Sequence, residues 1–156
     1  NTNKKLVIVG DVPYNYRFSK KIKKISNERI FMTGYINDPN VLYELYVKSY
    51  AYIHGHEFGG TNPTMIKALA YGTAILALDT PFNNEMLQKE KFGFYFSKDS
   101  NSIKSLIELM DNDISRIKFM KQNSHKGITK KYDWDCIAES YIEAFNSLLF
   151  DKKRKS

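Results

Sequence analysis

The sequence holds a single cysteine, Cys136. It has no apolar run close to the length of a membrane-spanning helix, which is about 18 residues. A lone cysteine excludes an internal disulfide, so its use favours an intracellular, cytoplasmic protein. The sequence also begins without methionine and enters an apolar segment almost at once. We therefore expect one domain of a longer protein.

Two glycine motifs of nucleotide-binding proteins are also missing. The phosphate-binding loop needs G-x-x-x-x-G-K-[ST], and the dinucleotide fingerprint needs G-x-G-x-x-G after the first strand. The chain has neither motif. Disorder is excluded too, because disordered chains hold few aromatics and this one has 11 Tyr and 10 Phe.

Positive charge is in excess, with a formal net charge of +7. The basic residues concentrate in three segments, 19–24, 126–131 and 151–156. Such charge favours anionic partners: nucleotides, nucleic acid or acidic lipid head groups. No nucleic-acid-binding module is recognisable, and solvated helix faces are the simpler explanation of these segments. The basic tail at 151–156 leaves open a peripheral contact with the inner face of a membrane.

Compact apolar segments alternate along the chain with amphipathic ones. Because the apolar segments show no alternation with polar residues, they are typical of parallel strands covered on both faces by helices. We expect an α/β fold: a Rossmann-like parallel sheet of about five to six strands flanked by helices, in one domain over 1–156. The predicted strands are 5–12, 29–36, 51–56, 73–78 and 93–97.

Each of the four prolines falls just after a predicted strand end, at Pro13, Pro39, Pro63 and Pro81. Proline is favoured at the first position of a helix, where its missing N–H costs nothing. In Asp38-Pro39 and Asn62-Pro63 the preceding side chain can cap the helix that follows.

The segment HGHEFGGTNP, residues 54–63, joins a predicted strand to a predicted helix through Gly59 and Gly60. Glycines let a backbone approach a ligand closely, and a helix N-terminus attracts anions. We expect the N–H groups of residues 64–66 to be free and to face these glycines. Phosphate is then the natural ligand, although a purely structural turn explains the glycines as well.

A longer pattern carries a resemblance. HGHEFGGTNPTMIKALAYGTAILALDTPFNNEML is similar to the sugar-nucleotide-binding segment of the group 1 retaining glycosyltransferases of the GT-B fold. It most resembles their rhamnosyltransferase-like branch, which reads approximately G-G-T-N-P-(S/T)-x-x-E-A. The resemblance runs from about residue 5 to about residue 148 and implies the C-terminal, donor-binding half of a two-domain enzyme.

The resemblance also implies roles for particular residues. By it, the donor diphosphate and sugar are bound by Gly59, Gly60, Thr61 and Asn62. The same resemblance assigns binding of the nucleoside to Tyr35, Ile36 and the position of Lys67.

Two carboxylates of the wider family are replaced here. Gly59 stands where one would touch the donor sugar, and Lys67 stands where the other would hold the ribose hydroxyls. Glu57 or a nearby histidine could substitute for the first, so His56 and Glu57 are the candidate catalytic residues. A lysine cannot accept hydrogen bonds from ribose, which leaves open a degenerate, non-catalytic sugar-nucleotide-binding module.

Other interpretations of the polar residues are weaker. His54 and His56, with Glu57, could begin a metal site, but the remaining ligands are not evident, and we expect no metal. Asp79 and Glu85 could form an acid/base pair, or simply cap a turn and begin a short helix. A receiver-like signalling domain is excluded, because Asp11 stands alone and the third strand ends in histidine.

The last predicted helix carries an apolar stripe from Trp134 to Leu149. Core packing is its simplest explanation, although the resemblance implies that this helix crosses to a partner domain and is partly exposed without it. The function we expect is metal-independent transfer of a sugar, with retention, from a nucleotide-diphosphate donor to a glycan or lipid-linked acceptor in surface polysaccharide synthesis. We expect no cofactor, and no turnover without the N-terminal GT-B domain.

Overall fold

The computed structural model describes residues 2–10, 16–25, 27–128 and 132–153. Pro13, Asp11 and parts of two basic segments, 129–131 and 154–156, lie outside the described residues. The five strands are β1 (Leu6–Val9), β2 (Ile30–Gly34), β3 (Tyr52–His54), β4 (Ile75–Leu78) and β5 (Phe94–Phe96). The helices are α1 (Tyr16–Ile25), α2 (Pro39–Lys48), α3 (Pro63–Ala70), α4 (Pro81–Met86), α5 (Ser100–Asn112), α6 (Ile114–Asn123) and α7 (Trp134–Lys153), with a short 3-10 helix at Ser124–Gly127.

The strands pair in parallel, and helices flank them, which confirms the predicted α/β fold. The single sheet was not correct in detail: the described strands form two sheets, β1-β2 and β3-β4-β5. Side chains link the two sheets instead, since Lys4 pairs with Asp111 at the end of α5 and its Nζ lies 3.9 Å from the ring centre of Tyr50.

The core is built around β4, whose four residues are all buried. Successive side chains of a strand point to opposite faces, and the two faces of β4 contribute to two apolar clusters. Ile75 and Ala77 pack with α3 on one face, whereas Leu76 and Leu78 pack with α5 and α6 on the other. This double coverage explains the unbroken apolar sequence of the strand.

Two regions expected to be buried are exposed. In β1, Leu6, Val7 and Val9 are each more than two-fifths exposed, because the helices of the described chain cover β4 far more fully than β1. In α7, Trp134 is 81% exposed and Phe145 is 60% exposed. The core interpretation of the stripe from Trp134 to Leu149 is therefore wrong, since most of its large apolar side chains are exposed.

The predicted caps are confirmed for two helices. Asp38 accepts a hydrogen bond from the N–H of Asn40, and Asn62 accepts one from the N–H of Thr64 at 3.0 Å. At α4 the cap is Thr80, whose hydroxyl accepts from the N–H of Asn83.

The turn cap considered for Asp79 is therefore not observed, and neither is the helix start considered for Glu85. Asp79 accepts a hydrogen bond from the side chain of Asn84 at 2.6 Å, and Glu85 lies inside α4. Among the described helices, none has the length and apolarity needed to cross a membrane.

Candidate functional site

The loop between β3 and α3, residues 55–62, begins at the carboxyl end of β3, a strand of the three-stranded sheet. Ligands of parallel α/β sheets bind at that end. Gly59 has a φ of +120°, which L-residues rarely adopt, and a Cβ built there would meet nothing within 4 Å. The sequence therefore needs glycine at this position for the backbone path and not for packing.

The three N–H groups expected to be free at the start of α3 are not free. The N–H of Thr64 donates to the Asn62 side chain, and those of Met65 and Ile66 both donate to the Asn62 carbonyl at 3.1 Å. That expectation was wrong because the cap itself consumes these donors. The open donors lie one turn earlier: within the described chain, the N–H groups of residues 59–61 have no hydrogen-bond partner.

Two adjoining cavities flank these open donors. The smaller, of about 70 Å³, is lined by the predicted residues His56, Glu57, Gly59, Gly60, Thr61 and Asn62, together with His54, Phe58, Phe82 and Asn83. The larger, of about 190 Å³, shares Gly60, Thr61 and Phe82 with the first and is completed by Glu85, Met86 and Tyr132. A cavity of this volume has room for a small group, such as one phosphate or part of a sugar, and not for a whole sugar nucleotide.

The two histidines lie together at one edge of the smaller cavity. Their rings stack with centroids 5.0 Å apart, which agrees with their expected placement on one face. His54 is 1% exposed, whereas His56 is exposed. Glu57 pairs with Lys98, which follows β5, at 2.5 Å. Its negative charge is thereby balanced within the protein.

The predicted nucleoside-binding residues are not part of either cavity. Tyr35 is 76% exposed in the loop after β2, and Ile36 beside it is half-buried. Lys67 is exposed on α3, beyond the capped first turn. The nucleoside role of these three residues stays a prediction.

Asn83 is a residue of this site that the sequence did not single out. It is buried in α4, and its amide donates to the carbonyl of His56 at 3.2 Å and to the carbonyl of Leu78 at 2.8 Å. It thus fastens the loop after β3 to the carboxyl end of β4. The sequence signal that could have identified Asn83 is its position in the first turn of a helix that begins with proline just after a strand.

The described part of the chain holds no cluster of side chains that could bind a metal ion, since no three His, Cys, Asp or Glu residues come together there. Asp79 and Glu85 do not converge on either of these two cavities, since Glu85 lines the larger one and Asp79 lines neither. The arrangement offers main-chain donors, a helix start, two imidazoles and a paired carboxylate. Such a set can hold an anionic group with polar groups attached to it.

Residues 1–126 match the family described as glycosyl transferases group 1. The chain belongs to this family. Among solved structures, it is similar to the crystal structure of Anabaena Alr3699/HepE in complex with UDP, with a TM-score of 0.74 and 16% sequence identity. That likeness covers 92% of this chain and 41% of the other, so the present chain spans less than half the length of that protein.

A search of curated proteins gives no match. At 16% identity, the structural likeness establishes the fold alone. The family assignment and the fold agree with the resemblance carried by the 54–87 segment. They leave its rhamnosyltransferase-like branch and its C-terminal position as proposals.

The buried imidazole of His54 makes a prediction about stability and pH. Burial, and secondly the neighbouring His56, lowers the pKa of His54 from 6.5 to about 4. The unfolded chain then takes up a proton near pH 6.5, and the folded chain only near pH 4. The free energy of unfolding should therefore fall as the pH falls through this window, by about 3 kcal/mol in all.

Urea unfolding of the wild type and of His54→Gln, measured between neutral pH and about pH 4, checks this expectation. The variant lacks the titrating ring, so it should lose that part of the pH dependence while keeping the part due to carboxylates. Identical pH profiles for the two proteins would contradict it.

Proposed function

We propose that this chain is the donor-binding, C-terminal part of a GT-B glycosyltransferase, and that the 59–61 loop holds the diphosphate of a nucleotide sugar. The observation that carries the proposal is the set of three partnerless loop N–H groups beside a phosphate-sized cavity at the start of α3. Membership of the group 1 family and the fold shared with a UDP-bound structure support it.

The chemistry of sugar transfer agrees with such a site. When the bond from the sugar to the diphosphate breaks, negative charge develops on the departing phosphate oxygens. Fixed main-chain donors and the positive end of a helix dipole stabilise that charge without reorganising. This role needs no metal ion, and we propose a metal-independent reaction that retains the anomeric configuration.

The transferred sugar is proposed to lie on the histidine side of the loop, where His56 and Glu57 border the smaller cavity. The 3.2 Å bond from Asn83 to the His56 carbonyl holds this part of the loop in place. The acceptor, a glycan or lipid-linked saccharide of surface polysaccharide synthesis, is proposed to reach the site from an N-terminal domain. Transfer is thus proposed for the whole enzyme, and a peripheral membrane contact in the cytoplasm would suit such an acceptor.

The proposal is tested by calorimetric titration of UDP, GDP and dTDP against the chain, with the matching nucleosides as controls. We expect at least one diphosphate to bind and its nucleoside to bind more than about 10-fold more weakly, because the loop recognises phosphate. Absence of binding by all three at millimolar concentration, with a cooperatively folded sample, would remove the donor-site role.

A second candidate function is favoured by Lys67, which is exposed and contributes to neither cavity. If no side chain replaces the missing ribose contact, the chain is a sugar-nucleotide-binding module without catalysis. We expect Lys67→Glu to raise the ratio of the affinity for UDP to the affinity for pyrophosphate. A carboxylate accepts hydrogen bonds from ribose hydroxyls, and the ratio cancels the change of charge.

Calorimetry of both ligands on Lys67→Glu and Lys67→Met gives this ratio. The methionine variant removes the ammonium without supplying an acceptor, and its ratio should stay near that of the wild type. A ratio that falls in both variants would show that Lys67 is itself a nucleoside ligand, which would argue against the degenerate module.

A further inference from the structure

A chain of hydrogen bonds runs from the start of α3 to the ring of His54, and its first member fixes all the others. The N–H of Thr64 lies 3.0 Å from the Asn62 side chain. A backbone N–H can only donate, so the atom that faces it is the amide oxygen of Asn62.

The proton positions then follow in sequence. The hydroxyl of Thr64 donates to the same amide oxygen at 2.6 Å, so it can only accept from the Tyr52 hydroxyl at 2.9 Å. Tyr52 has thereby used its single proton. It must accept from Nδ1 of His54, which lies 3.1 Å away. Nδ1 therefore carries a proton.

The opposite nitrogen of this ring is left as a bare acceptor. His54 is neutral near pH 7, because burial disfavours its charged form, so Nε2 holds a lone pair in the ring plane. Nε2 is buried and has no hydrogen-bond partner. The stacked ring of His56 covers a face of the imidazole, with 16° between the two planes, and does not meet that lone pair.

His54 is one of the residues that line the smaller cavity, whereas Tyr52, which contacts its Nδ1, is not. Of the two ring nitrogens, Nε2 is the one that no described residue engages. Buried polar atoms in native proteins are rarely left without a partner, so this acceptor points to a ligand that donates. Ionised phosphate oxygens only accept, which excludes the diphosphate as the partner of Nε2.

We propose that Nε2 of His54 accepts a hydrogen bond from a hydroxyl of the sugar moiety of the bound nucleotide sugar, and that His54 thereby contributes to sugar specificity. This inference rests on the proposed function. It adds that one buried, tautomer-fixed imidazole distinguishes the sugar from the phosphate, with Tyr52 as its positioning residue.

The tautomer is measured directly by NMR of the ring nitrogens of the labelled chain near pH 7, without any ligand. We expect a protonated Nδ1 and an unprotonated Nε2 in the wild type. In Tyr52→Phe the acceptor for Nδ1–H is lost, and a signal of the other tautomer should grow. A wild-type ring protonated at Nε2 would overturn the inference and leave the proposed function untouched.

Ligand recognition is measured by titrating UDP and UDP-glucose against the wild type, His54→Leu and His54→Gln. We expect His54→Leu to weaken UDP-glucose binding about 10-fold or more while UDP binding changes less than about threefold. His54→Gln, which retains an acceptor, should recover part of the loss. Thermal unfolding identifies any variant that fails to fold, in which case Tyr52→Phe must show the same selective loss.

The outcomes separate the two ideas. UDP-glucose binding that does not depend on His54, or that is no tighter than UDP binding in the wild type, would overturn the inference while nucleotide binding stands. If none of UDP, GDP and dTDP binds a folded wild type, the proposed donor site fails, and the inference fails with it. If only GDP or dTDP binds, the matching nucleotide sugar replaces UDP-glucose in this titration.

Discussion

Thr61→Glu should weaken UDP binding by about 10-fold or more, whereas Thr61→Gln should change it by less than about threefold. Thr61 is exposed and lines both cavities. A carboxylate there places a negative charge beside the open N–H groups and repels the diphosphate. The glutamine has nearly the same size without the charge, so the difference between the variants isolates the anionic character of the site.

Isothermal titration at two salt concentrations measures both affinities. The repulsion should diminish at high salt, because mobile ions screen exposed charges. Uridine binding should respond little to either variant. Equal affinities of Thr61→Glu and Thr61→Gln for UDP would show that the phosphates do not lie at this loop, whatever the affinity of the wild type.

The second large effect concerns the packing beneath β4 and β5. Leu87 is fully buried, and a Cβ built on Gly93 would lie 2.6 Å from its Cδ1 and 3.2 Å from the Ile75 carbonyl. Leu87→Ala should lower the free energy of unfolding by about 3 kcal/mol, because it leaves a cavity. Gly93→Ala should lower it by about 2 kcal/mol, because it overpacks the same place.

The double variant Leu87→Ala/Gly93→Ala should lose less unfolding free energy than the two single variants lose together. The difference should be about 1 kcal/mol or more. The added methyl group occupies part of the space that the leucine vacated. Leu106→Ala/Gly93→Ala is the matched control, since Leu106 belongs to the cluster on the other face of β4, and its costs should add. Additive costs for Leu87 and Gly93 in urea unfolding would contradict the packing described here.

Local chemistry explains which parts of the structure the sequence could predict. The Asn62-Pro63 pair predicted both the cap and the first residue of α3, because capping depends on neighbouring residues alone. The apolar segments predicted all five strands for the same reason. Their division into two sheets depends on long-range pairing, which no local pattern encodes.

The site was predictable in its position and less so in its donors. The sequence indicated a ligand at Gly59 and Gly60, but it assigned the open N–H groups to residues 64–66. A cap side chain and a cap carbonyl both reach back over that turn, which only the folded geometry shows. The place of Asn83 required the distance between two loops that are far apart in sequence.

The exposed stripe of α7 has a similar cause. An amphipathic period shows that a helix has an apolar face, and it does not show what covers that face. In the described residues nothing covers Trp134, although the helical period itself was correct. The sequence thus predicted the helix but not the exposure of its apolar face, in a chain that spans 41% of a structurally similar protein.

The central claim is that the loop amides of residues 59–61 bind the diphosphate. Chemical-shift mapping of backbone amides during a UDP titration, with uridine as the control, tests it most directly. We expect the largest shifts at Gly59, Gly60 and Thr61, saturating together, and little change there with uridine. UDP shifts that concentrate instead on the lysines of α1, with the loop amides unmoved, would contradict the account.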